Sequence, residues 1–193
     1  MINIILFGPP GAGKGTQSAK IIEKYSLIHI ATGDLFRKHL KEGTPLGNLA
    51  KDYMNKGNLV PDQVVIDMVD DKINSSEKAT GIIFDGFPRT IPQAEALDRL
   101  LTSKGGPIKI LIELVVPEDE LRKRLAERAL KENRPDDAKP DVIENRISVY
   151  KGETASVADH YKKLGKYASV LGVGEIENIF SNLCREIDKS LLM

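Results

Sequence analysis

The chain has no tryptophan, a single cysteine and no excess of either charge. Each shortage removes a class of protein. With 28 basic and 28 acidic side chains in 193 residues, no global field would hold it on nucleic acid or an anionic membrane, so any anion site must be local. The lone Cys184 rules out an intrachain disulfide and a multi-cysteine metal site, and it suits a reducing compartment. Its neighbours Ile179, Phe180, Leu183 and Ile187 mark it as a packed thiol. His29, His39 and His160 show no pairing that suggests metal or general-base chemistry, so each is expected in a core or surface role. No apolar run approaches the ~20 residues that cross a bilayer. The opening apolar stretch is interrupted by Asn3 and ends at Gly8, so no signal peptide is read there and a cytoplasmic protein is expected. Repeats and low-complexity tracts are absent as well, which leaves one domain over residues 1–193 with small inserted lobes.

What is present is concentrated in residues 8–16, Gly-Pro-Pro-Gly-Ala-Gly-Lys-Gly-Thr. The spacing from Gly8 to Lys14 is that of a P-loop: Gly, four residues, Gly, Lys. Glycines let the backbone curl with its N–H groups inward, the following helix adds the positive end of its dipole, and Lys14 adds a mobile charge. Polyphosphate is the ligand such a cradle suits. A glycine-rich turn with no ligand would have no use for a lysine at the mouth of the helix. One position departs from the pattern: Gly15 stands where a Ser or Thr hydroxyl usually meets magnesium, and Thr16 follows one residue late. Neither Gly8, Gly11 nor Gly13 starts the dinucleotide spacing Gly-x-Gly-x-x-Gly, which disfavours a nicotinamide or flavin enzyme.

Along the chain, apolar runs alternate with helical patterns. Strands are expected at 2–7, 27–31, 81–85, 108–116 and, more weakly, 167–171. Helices are expected at 14–25, from a Thr32 cap through Leu40, up to Asn55, and at 63–73, 91–103, 118–131, 141–164 and 175–191. Residues 133–140 read as an exposed polar connector, and Gly172 and Gly174 as a turn. Alternation of this kind implies a parallel sheet with helices on both faces, a three-layer α/β/α fold. Residues 81–85 end in Asp85, and ligands in open α/β sheets sit beyond the carboxyl ends of strands, so Asp85 is expected beside the phosphate loop. A turn-forming role before Gly86 is the alternative.

Arg122, Arg124, Arg128, Arg134 and Arg146 lie in or near the connector, and Arg37 and Arg89 each follow a strand end. Singly, each of the first five reads as a solvated helix residue paired with a carboxylate such as Glu120, Glu127 or Glu144. Beside a P-loop they take on another meaning. Phosphoryl transfer asks the protein to align donor and acceptor and to neutralise the moving charge, and the planar guanidinium fork suits that task.

Taken together, residues 8–16, 31–37, 57–62 and 85–90 with Gln93, Arg124, Arg128, residues 134–137 and Arg146 resemble the adenylate kinase family over essentially the whole chain. The resemblance implies a five-stranded P-loop core, an AMP-binding lobe inserted at residues 31–60 and a short lid at 127–137. It implies reversible transfer from ATP to AMP giving two ADP, with magnesium, by a monomer that binds neither nucleic acid nor membrane. On that resemblance, Gly11, Ala12, Gly13, Lys14, Gly15 and Thr16 hold the donor phosphates. Arg124 lies against the donor adenine and the backbone of Gly174 meets it. Lys14, Arg89, Arg128, Arg134 and Arg146 form the catalytic set. Thr32, Arg37, Asn58, Leu59, Val60, Gly86, Phe87, Pro88, Arg89, Gln93, Arg134 and Arg146 bind AMP, with Arg37 and Arg89 on its phosphate and Gln93 reading its adenine. Asp85 organises magnesium, through water given Gly15. The short lid lacks the cysteine-bearing insertion of long-lid relatives, so zinc is not expected.

Three other readings compete. A UMP or CMP kinase differs at the positions of Thr32 and Thr90, and a GTP-using donor site is only weakly disfavoured. A non-catalytic nucleotide switch would need Asn-Lys-x-Asp, and residues 55–58, Asn-Lys-Gly-Asn, lack the aspartate.

Overall fold

A computed structural model describes residues 1–76, 80–104, 106–132 and 139–192. Its centre is a sheet of β1 (Ile2–Phe7), β2 (Ile28–Ala31), β3 (Gly81–Asp85), β4 (Ile108–Val115) and β5 (Tyr167–Leu171), in the order β2-β3-β1-β4-β5. Every neighbouring pair is parallel, as the strand–helix alternation predicts. The strands alternate cleanly in what they bury. Ile5, Phe7, Ile82, Phe84 and Leu111 belong to one core; Ile4, Leu6, Ile83, Ile110, Ile112 and Leu114 belong to the other. Both faces are therefore covered, which is why these strands read as continuous apolar runs.

Helices α1 (Lys14–Tyr25), α6 (Glu118–Glu132), α7 (Pro140–Val149) and α9 (Ile176–Leu191) contribute Ile21, Leu121, Leu125, Ile143, Ile147 and Leu183 to the second core. The first core is closed by α2 (Thr32–Lys41), α3 (Pro45–Lys56), α4 (Asp62–Asn74), α5 (Ile91–Ser103) and α8 (Ser156–Lys163), through Phe36, Ala50, Val65, Leu97 and Tyr161. Helices α2 and α3 pack so tightly that a Cβ on Gly47 would lie 2.3 Å from the His39 carbonyl oxygen.

Asn3, the polar residue that interrupts the first apolar run, is fully buried in β1 and stitches the sheet. Its Oδ1 accepts from the Ile82 N–H at 3.0 Å while its Nδ2 donates to the Gly106 carbonyl. The β1–β4 register shifts between Asn3 and Ile4, next to this bridge.

Two local expectations are corrected. Thr32 does not cap α2; Ala31 occupies the N-cap without a side-chain hydrogen bond, and the buried Thr32 hydroxyl donates to the Gly86 carbonyl at 2.7 Å. The helix expected over 141–164 is divided into α7 and α8 by a π-helical turn at Tyr150–Thr154. There the Tyr150 ring packs 5.7 Å from that of Phe7 and its hydroxyl donates to Glu113 Oε1 at 2.7 Å. Such wide turns are a recognised cause of local bending within helices. The connector read at 133–140 lies outside the described residues up to 138.

Candidate active site

The sheet order reverses direction at β1, with β3 on one side and β4 on the other, so a crevice opens at the carboxyl end of β1. The glycine loop leaves the sheet at that point. Gly8 has φ +136, and a Cβ there would sit 2.8 Å from the Leu114 carbonyl oxygen, so only glycine lets the chain turn out against β4. Gly13 precedes α1 in the left-handed region, and no side chain caps the helix, so its N-terminus, where unpaired N–H groups favour an anion, opens directly from the loop. Lys14 folds back over the loop, its Nζ donating to the carbonyls of Gly8 at 2.8 Å and Pro9 at 3.0 Å.

Charge is crowded around that amine. Burial, with the nearby guanidinium groups of Arg89, Arg128 and Arg146, pushes Lys14 down to about 8 against the pull of Asp85. For Asp85, burial alone would raise the carboxyl, but His29, Lys14 and Arg89 outweigh it and hold it below the ordinary carboxylate range. His29 Nε2 stands 3.7 Å from Asp85 Oδ2, an electrostatic contact too long for a hydrogen bond. The structure thus gathers Lys14, Asp85, Arg89, Arg128 and Arg146 about one point, while Arg134 lies outside the described residues.

From this point a cleft runs between the carboxyl ends of the central strands and the α2–α3 hairpin. Lys14 and Arg146 line it, Arg146 packing against Gly57. Thr32, Arg37, Asn58, Leu59, Val60, Gly86, Pro88, Arg89 and Gln93 line it too. The loop after β3 is held by its own hydrogen bonds. Arg89 Nε donates to the Gly86 carbonyl at 2.7 Å, the same oxygen that accepts from Thr32. Gly86 has φ +73, and a Cβ would meet Arg89 Nη2 at 3.0 Å and Thr32 Oγ1 at 3.2 Å, so the close approach of these two groups also requires glycine. Arg37 Nη2 reaches Asp34 Oδ1 at 2.5 Å. Phe87 goes elsewhere: its buried ring packs 6.5 Å from Phe84 in the core.

The remaining sequence candidates lie around the loop and beyond it. Ala12 is buried in the second core, whereas Gly15 and Thr16 are exposed, and a Cβ on Gly15 would meet nothing within 4 Å. Arg124 donates from Nη1 to the Gly172 carbonyl at 2.9 Å and from Nε to Glu120 at 2.7 Å, beside the exposed Gly174. Arg122 instead joins Glu118, Asp119 and Glu144 in a surface cluster, the role expected of a solvated helix arginine.

Several residues were given no role from sequence. Asp62 and Thr90 tie Gln93 in place, and Tyr150 lines the cleft from the π turn. Asn145 bridges α7 to the end of α3 through the Lys56 carbonyl at 2.7 Å and Asn58 Oδ1 at 2.8 Å. Asp62 and Thr90 fell inside motif segments, yet nothing in spacing alone says that they meet.

A phosphate loop at a parallel-sheet switch point, with guanidinium groups converging on its lysine at a cleft, defines a P-loop phosphotransferase. The comparisons with known proteins narrow that class. The adenylate kinase family pattern matches residues 6–166. An adenylate kinase of Parabacteroides distasonis is 48% identical over 183 residues, covering 95% of this chain and 96% of that protein. One of Bacteroides fragilis is 45% identical over 188 residues, 97% of this chain and 99% of the relative. One from the more distant Methanothrix thermoacetophila is 40% identical, with 97% and 99% covered. The chain belongs to the adenylate kinase family.

Proposed function

We propose that this chain moves a phosphoryl group reversibly from ATP to AMP, giving two ADP, with the donor on the glycine loop and the acceptor in the cleft. The observation that carries this reading is the gathering of Arg89, Arg128 and Arg146 around Lys14, beside a cleft that Arg37 and Gln93 also line. One nucleotide would not need two sets of cations.

In this reading the amides of residues 11–16 and Lys14 hold the donor phosphates, and Arg124 with the backbone of Gly174 holds the donor base. Arg37 and Arg89 seat the AMP phosphate, while Thr32, Asn58, Leu59, Val60, Gly86, Pro88 and Gln93 frame its nucleoside. Phe87 serves that wall from behind, through packing. Arg128, Arg134 and Arg146 close on the phosphoryl group in transit. No general base is required, because the attacking phosphate oxygen of AMP is already an anion. The rate then comes from alignment and from positive charge fixed before the reaction. Residues 31–60 act as the acceptor lobe and residues 127–137 as a lid, closing to exclude the water that would otherwise take the phosphoryl group.

Magnesium fits this site in one way. Among the described residues no group of three or more His, Cys, Asp or Glu side chains could hold a metal. The donor set is a single ionised carboxylate, Asp85, with Gly15 where a hydroxyl would be. Mg²⁺ commonly keeps several waters and binds through one carboxylate plus substrate phosphates, so Asp85 would hold it through water. When bound it supplies charge neutralisation across the phosphate oxygens. No described helix is long and apolar enough to cross a membrane.

The direct test measures ADP formed from ATP alone and from ATP with a panel of monophosphates. Strict dependence on AMP is expected. Equal turnover without any acceptor would point to a switch, and preference for UMP or CMP would overturn the acceptor assignment.

A further inference from the structure

We propose that Asp62 decides which purine the acceptor pocket takes, by fixing the orientation of the Gln93 carboxamide. The inference rests on the reading that places Gln93 against the acceptor base.

A carboxamide is ambivalent. It offers N–H from one side and a carbonyl oxygen from the other, and turning it by half a revolution exchanges them with almost no change of shape. A 6-amino purine presents an acceptor at N1 and a donor at the exocyclic amine. A 6-oxo purine presents the reverse, a donor at N1 and an acceptor at O6. An amide free to turn would pair with both. Selectivity therefore requires something that holds the amide one way round.

The structure supplies two groups that do this. Gln93 is 1% exposed and lines the cleft. Its Oε1 accepts from the backbone N–H of Arg89 at 2.8 Å, and its Nε2 donates to Asp62 Oδ1 at 2.8 Å. Reversed, the amide would set N–H against N–H at Arg89 and oxygen against a carboxylate at Asp62. Each contact uses only part of the amide's capacity, since one N–H and one lone pair on Oε1 remain for a ligand. Asp62 is itself held, for the same Oδ1 accepts from the Thr90 hydroxyl at 3.0 Å, and Thr90 Oγ1 in turn accepts from the Gln93 N–H at 3.3 Å. Asp62 is not among the residues lining the cleft, so it acts through Gln93 as a positioning residue. It sits at the first turn of α4 while Gln93 sits in the first turn of α5, and the bridge spans 31 positions of sequence.

The test compares kcat/KM for AMP and for IMP, its 6-oxo counterpart, with ATP as donor, in the unaltered protein and in Asp62→Ala, Asp62→Asn and Gln93→Ala. A hydrogen bond to a charged group sets the scale, so the AMP:IMP preference should fall about tenfold in Asp62→Ala. It falls rather than vanishes, because the Arg89 N–H remains. In the near-isosteric Asp62→Asn, which can itself turn to meet a reversed amide, a smaller drop of about threefold is expected, and this variant decides the matter if Asp62→Ala does not fold. A merely structural Asp62 would lower both rates together and leave their ratio alone. The inference is overturned if the ratio stays constant in a folded Asp62 variant while Gln93→Ala raises KM for AMP. If Gln93→Ala leaves KM for AMP unchanged, the placement of Gln93 on the base fails and this inference with it.

Discussion

At the proposed acceptor end of the cleft Gln93 is 1% and Thr32 2% exposed, and each has its polar groups held in place by named partners. At the proposed donor-base end Leu171 is 62% and Ile176 50% exposed, Gly174 lies open, and Arg124 is tied to Glu120 and the Gly172 carbonyl. The first is a pocket with its hydrogen-bonding groups fixed in advance; the second is a ledge. A preorganised pocket discriminates because a wrong base leaves buried groups without partners, whereas a ledge lets water serve whatever the base does not. On the proposed assignment, that contrast predicts a strict choice of acceptor and a tolerant choice of donor base.

The sharpest way to break it is Arg89→Ala. Arg89 belongs to the acceptor wall and to the charge cluster around Lys14 at once, so turnover should fall about 10³-fold or more. The melting temperature should move far less than the rate, although the hydrogen bond to the Gly86 carbonyl is lost. A near-normal rate would mean that the two ends do not share a phosphate site.

The next effect belongs to the junction between the two ends. Lys14 in the free protein titrates near 8. Below that value the amine is charged and attracts donor phosphates; above it the charge is lost. So kcat/KM for ATP should decline by up to tenfold per pH unit once pH passes about 8, while kcat declines later, because bound phosphate favours the charged amine. Lys14→Arg, charged throughout, should lack that limb. Stability runs the other way: between about 8 and 10.5 the unfolded chain binds more protons at this residue than the folded one, so its contribution to stability rises with pH. Thermal melts over that window alongside the rate profile check both signs.

The smallest effect is expected on the ledge. Arg124→Ala should raise KM for ATP about fivefold and leave KM for AMP unchanged, and the ATP:GTP preference should be weaker than the AMP:IMP preference. A donor preference as strict as the acceptor preference would erase the distinction between pocket and ledge.

Much of the fold was legible because its signals are local. The strands at 81–85 and 167–171 appear with the expected bounds, and β2 begins one residue later than expected, at Ile28. The glycine loop needs no distant partner to be recognised, since spacing within residues 8–16 already specifies a backbone that curls about phosphate. Thr32 shows where local reasoning stops: a threonine ahead of a helix reads as a cap, and only the approach of Gly86, 54 positions away, claims its hydroxyl instead. The π turn at Tyr150–Thr154 was equally invisible, because Glu113 and Phe7, which hold Tyr150, come from the distant strands β4 and β1.

By itself, the sequence determined the parallel sheet, the phosphate cradle and the types of residue that would surround it, since apolar periodicity and glycine–lysine spacing act over a few neighbouring positions. Only the tertiary structure decided that His29 would stand by Asp85, that Phe87 would turn into the core, and that Asp62 and Thr90 would pin Gln93. Those outcomes depend on which side chains are brought within about 3–4 Å across the packed layers, a distance that the spacing of residues along the chain does not encode.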